Sequence, residues 1–172
     1  PDILKPICDL ASHVQKWSVA CDKRLYRLIC YLESTPHYRL LSHVCDEADA
    51  LSIRLFVDAD FAGDATSQRS TSGVHLAIHG SHTIFPLQGL SAKQDAVAFS
   101  TPEAKFYAGC MGYRKCMIPA LQLWDVLGPN MMVPMFHEDN QAMILITLSG
   151  RNPTMRHLGR VHRVSVQWLH ER

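Results

Sequence analysis

Leu55-Phe56-Val57-Asp58-Ala59-Asp60 and, later in the chain, Phe136-His137-Glu138-Asp139-Asn140-Gln141 decide how this sequence is read. Each runs an apolar stretch of strand character straight into acidic residues. A strand end is a rigid mount, and the oxygen ligands of a hard ion such as magnesium must converge to about 2.0–2.1 Å from it. Two acidic strand ends in one chain therefore point to hydrolytic or phosphoryl-transfer chemistry rather than to redox or acyl transfer. A plainer reading stands beside this one, because acidic residues after strands also form turns and cap helices.

Working outward, apolar residues recur at helical spacing from Ile7 to about Glu33, which predicts two helices broken near Ser18, the second ended by Thr35-Pro36. A polar connector, Ser42 to Asp49, leads into the strand formers Ile53 to Val57. The turn-rich stretch from Gly63 to Ser72 separates these from a hairpin, Val74 to Ile78 and Thr83 to Leu87, turning at Gly80-Ser81. Ser100-Thr101-Pro102-Glu103 reads as a helix start, with Ser100 or Thr101 as cap and an acid near the positive dipole end. That helix is expected to run to about Met117 and to break at Pro119, with Ala120 to Leu127 a further helix stopped by Gly128-Pro129. Met132 to Phe136 is expected to be a central strand made irregular by Pro134, and Asp139 to cap a helix from Gln141 to Leu148. A loop over Gly150 to Pro153 and a short element over Val164 to Trp168 complete the order. Strands and helices so mixed fit an α/β layer with helices packed on a central sheet.

The 172 residues suit one domain with a small appendage, and an apolar share of 47% is enough for a real core. Charge is unevenly placed: residues 1–150 carry 12 basic and 15 acidic side chains, whereas residues 151–172 carry five arginines against Glu171. Basic character is thus concentrated where phosphate contacts would use it, or it is a solvated basic tail. The six cysteines form no C-x-x-C pair and no cluster with histidine at zinc-ligand spacing, and read as small buried hydrophobes or incidental thiols in a reducing compartment. No charged-then-apolar leader opens the chain and no apolar run reaches about 18 residues, so neither secretion nor membrane spanning is expected. A start at Pro1 rather than at methionine suggests a piece of something longer.

With these residues placed, the chain resembles the ribonuclease H domain of copia-type (Pseudoviridae) retrotransposon Pol polyproteins. Pro1-Asp2-Ile3 is similar to the R-P-D-I opening the connection after the reverse transcriptase, and Arg27-Leu28-Ile29-Cys30-Tyr31-Leu32 is similar to an R-x-x-x-Y-L helix. Asp58-Ala59-Asp60-Phe61-Ala62-Gly63-Asp64 resembles D-A-D-W-A-G-D, and Arg69-Ser70-Thr71-Ser72-Gly73 matches R-S-T-S-G. Ser91-Ala92-Lys93-Gln94 matches S-x-K-Q, and Glu138-Asp139-Asn140-Gln141-Ala142 resembles C-D-N-Q-S-A. The resemblance implies an α/β, ribonuclease H-like fold: a five-stranded mixed sheet with its first three strands antiparallel, flanked by helices. It also implies a helical connection over residues 1–50 and the ribonuclease H-like domain over residues 51–172.

By the same resemblance, four carboxylates would hold two Mg²⁺ (or Mn²⁺) ions that hydrolyse the RNA strand of an RNA–DNA hybrid. Asp58 and Asp139 fall on two of those positions, and Glu103 is the remaining acidic candidate for catalysis and metal binding. Asp60 is expected on the opposite face or at the rim, since neighbouring strand positions alternate sides. Arg69, Ser70, Asn140, Arg156, His157, Arg160 and His162 are the expected nucleic-acid contacts. Partners would be the hybrid and the reverse transcriptase part of the same polyprotein, with no membrane. The setting would be intracellular, in a cytoplasmic virus-like particle or the nucleus.

Two departures bear on activity. The family's E-A-E-Y reads Glu103-Ala104-Lys105-Phe106 here, which puts lysine at a lost ligand position. A unit charge about 4 Å from a divalent ion is repelled by about 8 kcal/mol at an effective dielectric near 20, though a lysine can snorkel away. Glu103 lies about 200° around the helix from Lys105. The family's K-H-I-D maps onto Arg156-His157-Leu158-Gly159 read forward, or places its aspartate near Arg163 counting back from Trp168, and neither position is acidic. His162 could supply a nitrogen ligand, which suits manganese or zinc better than magnesium. Two functions follow as expectations: a ribonuclease H of impaired activity, or a catalytically inactive domain that binds hybrid or supports a reverse transcriptase.

Overall fold

Alternation along Ser52–Ala59 builds β1: Ile53, Leu55, Val57 and Ala59 are buried while Arg54, Phe56 and Asp58 face the other way. The computed structural model describes residues 2–64, 67–127 and 133–172. It divides into two units, Pro1–Leu41 and Ser42–Arg172.

In the first unit, α1 (Leu4–Ser12) and α2 (Val19–Ser34) flank Ser18, as the apolar spacing predicts. Leu10 and Cys21 are its buried residues, and Arg24 pairs with Asp9 at 2.8 Å.

In the second unit, β1 pairs antiparallel with β2 (Thr71–His79), which pairs antiparallel with β3 (Ile84–Lys93). Both hairpin strands are longer than the sequence predicts. The β2–β3 register shifts at Leu76/Ala77, so Leu87 is the extra residue on β3. On the other side of β1 lies β4 (Val133–His137), parallel to it, giving the order β3-β2-β1-β4. The sheet is therefore mixed and, among the described residues, has four strands rather than the five expected. Among the described residues β4 has a neighbour on one side only, so it is an edge rather than a central strand, the position in a sheet where a proline such as Pro134 is tolerated. The expected stop at Gly128-Pro129 and the strand start at Met132 lie outside the described residues.

One long helical run crosses the sheet. Ser100 caps α3 (Thr101–Gly112) by accepting the Glu103 N–H at 3.3 Å, and Pro102 lies in the first turn. The run continues as a π-helical turn, Tyr113–Met117, and then as α4 (Ile118–Leu127). The break expected at Pro119 is absent. The wider π turn already disturbs the hydrogen-bond ladder there, so the missing N–H of proline costs the helix little. α5 (Gln141–Ser149) is capped by Asn140 rather than by the expected Asp139: Asn140 Oδ1 accepts the Met143 N–H at 2.9 Å. The C-terminal segment adds α6 (Leu158–Val161) and α7 (Val166–His170), where one short element over Val164 to Trp168 is expected. Phe106, Leu55, Ile53, Leu76, Met117, Met143 and Leu158 are fully buried between the sheet and these helices.

Candidate functional site

Phe56 stands opposite His137 in the parallel β1–β4 pair, so two residues further Asp58 and Asp139 leave neighbouring strand ends side by side. The two acidic stretches thus do converge, and between them lies a cation of the chain's own. Lys105, from the first half of α3, places Nζ 2.7 Å from Asp58 Oδ1 and 2.5 Å from Asp139 Oδ1. Glu138 Oε1 lies 3.4 Å from the same nitrogen. The lysine side chain is 9% exposed, whereas those of Asp58 and Asp139 are 74% and 82% exposed, so a sheltered ammonium is held by carboxylates that water also reaches.

Electrostatics follow from that geometry. Burial works against the Lys105 ammonium, but hydrogen bonds to Asp139 and Asp58 and the charge of Glu138 outweigh it, and its pKa is raised. The Asp139 carboxyl is held below the ordinary carboxylate range by Lys105, with Glu138 next in effect. Glu138 has the opposite shift. Its side chain is 1% exposed, and burial raises its pKa although the Asn140 N–H donates to Oε1 at 2.9 Å. Glu138 Oε2 is buried with no hydrogen-bond partner among the described residues. Glu138 is the member of this group absent from the residues expected at the site, and its place beside Asp139 at the end of the apolar stretch is the one signal for it in the sequence.

Glu103 is engaged elsewhere. Its Oε1 accepts from His157 Nε2 at 3.1 Å and His162 Nε2 at 3.0 Å, and its Oε2 from the Phe99 N–H at 3.2 Å. This buried carboxylate ties the start of α3 to the C-terminal segment. His162 is itself buried, which removes it from contact with a phosphate backbone, and His157 is partly covered. Ser70 is also buried, its Oγ accepting the Ala62 N–H at 3.2 Å, while Arg69, Arg156 and Arg160 are exposed. Asn140 is occupied as the cap of α5. Asp60 stands apart from Asp58 because β1 stops at Ala59 and Asp60 Oδ1 accepts the Thr71 N–H at 2.5 Å. Strand alternation does not separate the two aspartates, since positions 58 and 60 would share a face.

Among the described residues, no group of three or more His, Cys, Asp or Glu side chains is arranged to hold a metal ion, and no helix is long and apolar enough to cross a membrane. No family model, curated protein or solved structure matches this chain. The site consists of two exposed carboxylates and one buried carboxyl group arranged around an internal ammonium.

Proposed function

We propose that this chain is a ribonuclease H-like domain of the copia-type retrotransposon Pol class in which Lys105 stands where the catalytic cation would stand. The module would bind RNA–DNA hybrid beside a reverse transcriptase, in a virus-like particle or the nucleus, without cleaving the RNA. The observation that carries this reading is the Lys105 ammonium at hydrogen-bond distance from both Asp58 and Asp139. Magnesium needs those oxygens at about 2.0–2.1 Å, and an ammonium held about 4 Å away would oppose it by about 8 kcal/mol. The donor set does not fit two divalent ions: Glu103 is turned to His157 and His162, and Gly159 and Arg163 supply no acid. Three antiparallel strands with a parallel fourth support the ribonuclease H-like assignment.

Binding would rest on Arg69 and on the exposed arginines of the C-terminal segment, through phosphates and hybrid shape rather than base sequence. The test is a labelled hybrid offered to the intact chain with Mg²⁺ or Mn²⁺. The expected result is binding without cleavage, with a salt dependence that falls by about one unit of slope for each of Arg156 and Arg160 changed to Gln. Cleavage that vanishes in Asp58→Asn would overturn the proposal. It would favour the second reading, hydrolysis of the RNA strand by two-metal catalysis, which draws on the open exposure of Asp58 and Asp139 to solvent ions.

A further inference from the structure

Two backbone irregularities converge on one cavity away from Lys105. The first is the π-helical turn Tyr113–Met117, which carries Arg114; turns of this kind are rare and frequently fall at functional sites. The second is Arg163, between α6 and α7, whose φ of +55° is a left-handed conformation that non-glycine residues adopt under constraint. Both side chains line the same cavity of about 510 Å³. Neither guanidinium forms an ion pair with an acidic side chain among the described residues. The cavity also holds the Trp168 indole, with the Arg172 guanidinium 5.4 Å from its ring centre, and Ser165, whose Oγ accepts the backbone N–H of Trp168 at 3.3 Å as the cap of α7. Cys110 lines it as well, and burial pushes that thiol up to about 12, so it adds no negative charge at neutral pH.

We propose that this cavity is a phosphate subsite, taking one phosphate of a nucleic-acid strand on Arg114 and Arg163 with the attached nucleoside against Trp168. Two unpaired forks suit a tetrahedral anion with several acceptor oxygens better than a single carboxylate, and an indole offers a face for a base. The inference deepens the nucleic-acid reading above and rests on it. Arg114 follows Lys105 by nine positions, about 13 Å along a helix, so the subsite would meet the strand well away from the carboxylates.

The test follows the Trp168 indole N–H by NMR in the intact chain, its resonance identified with Trp168→Phe. Inorganic phosphate, a mononucleotide and a short single-stranded oligonucleotide are titrated separately, and hybrid binding is measured beside them. The expected result is a shift of that resonance with all three, at least tenfold tighter for the oligonucleotide. Arg114→Gln with Arg163→Asn should weaken each about tenfold; asparagine keeps the left-handed backbone accessible. A mononucleotide as tight as the oligonucleotide overturns the assignment to a strand, and an unmoved Trp168 in the unaltered chain overturns the subsite without reliance on any variant. Hybrid binding that ignores Arg114 and Arg163 but needs Arg156 and Arg160 defeats the subsite alone. A Trp168 response to the oligonucleotide in a chain that fails to retain hybrid defeats the hybrid reading alone.

Discussion

Lys105 is the residue on which the chemistry of this chain turns. Its ammonium is bound by two water-exposed carboxylates and approached by a buried one, so removing it leaves three acidic groups facing one another. Hydrogen bonds involving charged groups contribute about 1.5–3 kcal/mol when sheltered, but the exposure of Asp58 and Asp139 discounts that figure. Lys105→Met is therefore expected to lower the stability of the second unit by about 1–2 kcal/mol at neutral pH. The variant should regain part of that loss on addition of Mg²⁺, whereas the unaltered chain should not respond, because its place for a cation is filled. Thermal melts with and without Mg²⁺ measure both. A magnesium-dependent rise in the unaltered chain would show that Lys105 yields its position to the metal. Lys105→Glu places a third carboxylate beside Asp58 and Asp139, and cleavage of hybrid by that variant with Mg²⁺ would reveal a scaffold lacking only that ligand.

At the scale of elements, the approach of α3 to the sheet depends on the absence of a side chain at Gly112. A Cβ there would lie 3.0 Å from Val57 Cγ1 and 3.1 Å from Val74 Cγ2, and β-branched residues in strands cannot turn aside cheaply. Gly112→Ala gains about 1 kcal/mol of helix propensity and loses about 1–3 kcal/mol to overpacking, so a net loss of about 1 kcal/mol is expected by urea denaturation. A more stable variant would show that the contact between helix and sheet is looser than these distances. The elements themselves were largely legible in the sequence, because each had a local cause: alternation at Ile53 to Val57, the Ser100 cap with Pro102, and the paired helices around Ser18. The meeting of Asp58 and Asp139 was legible too, since both follow strand-forming runs. What was hidden depended on contacts distant in sequence. Lys105 read as a charge that opposes a metal, and only the parallel pairing of β1 with β4 reveals two carboxylates placed to receive it. Likewise Glu103 read as a metal ligand, because nothing local in the sequence brings His157 and His162 back to the start of α3. The π turn escaped because Pro119 carries a strong local signal for a break, and the irregularity one turn earlier absorbs it.

For the whole molecule, the same cluster sets how stability responds to pH. The raised pKa of Lys105 means that its contribution is fully present below the ordinary lysine value of about 10.4 and is lost as pH rises through the higher folded value. The lowered pKa of Asp139 works from the other end: its contribution is present above about 3.9 and is lost as pH falls through the depressed value. Glu138 has the opposite sign, because burial favours its protonated form and acidification relieves a cost in the folded state. With Lys105 replaced by Met, that cost is no longer offset by a cation. The stability difference between the unaltered chain and Lys105→Met should therefore form a plateau across neutral pH, shrink below about pH 4 and shrink again above about pH 10.4. The tryptophans allow this to be assigned to a unit, since Trp17 lies in Pro1–Leu41 and Trp124 and Trp168 lie in Ser42–Arg172. In a Trp17→Phe background, indole fluorescence during urea denaturation reports on the second unit alone, and the plateau should appear there in full. A difference that is flat from pH 3 to pH 11 would mean that the ammonium and the carboxylates do not share their charge in the folded chain, and the reading of Lys105 as an internal cation would fail with it.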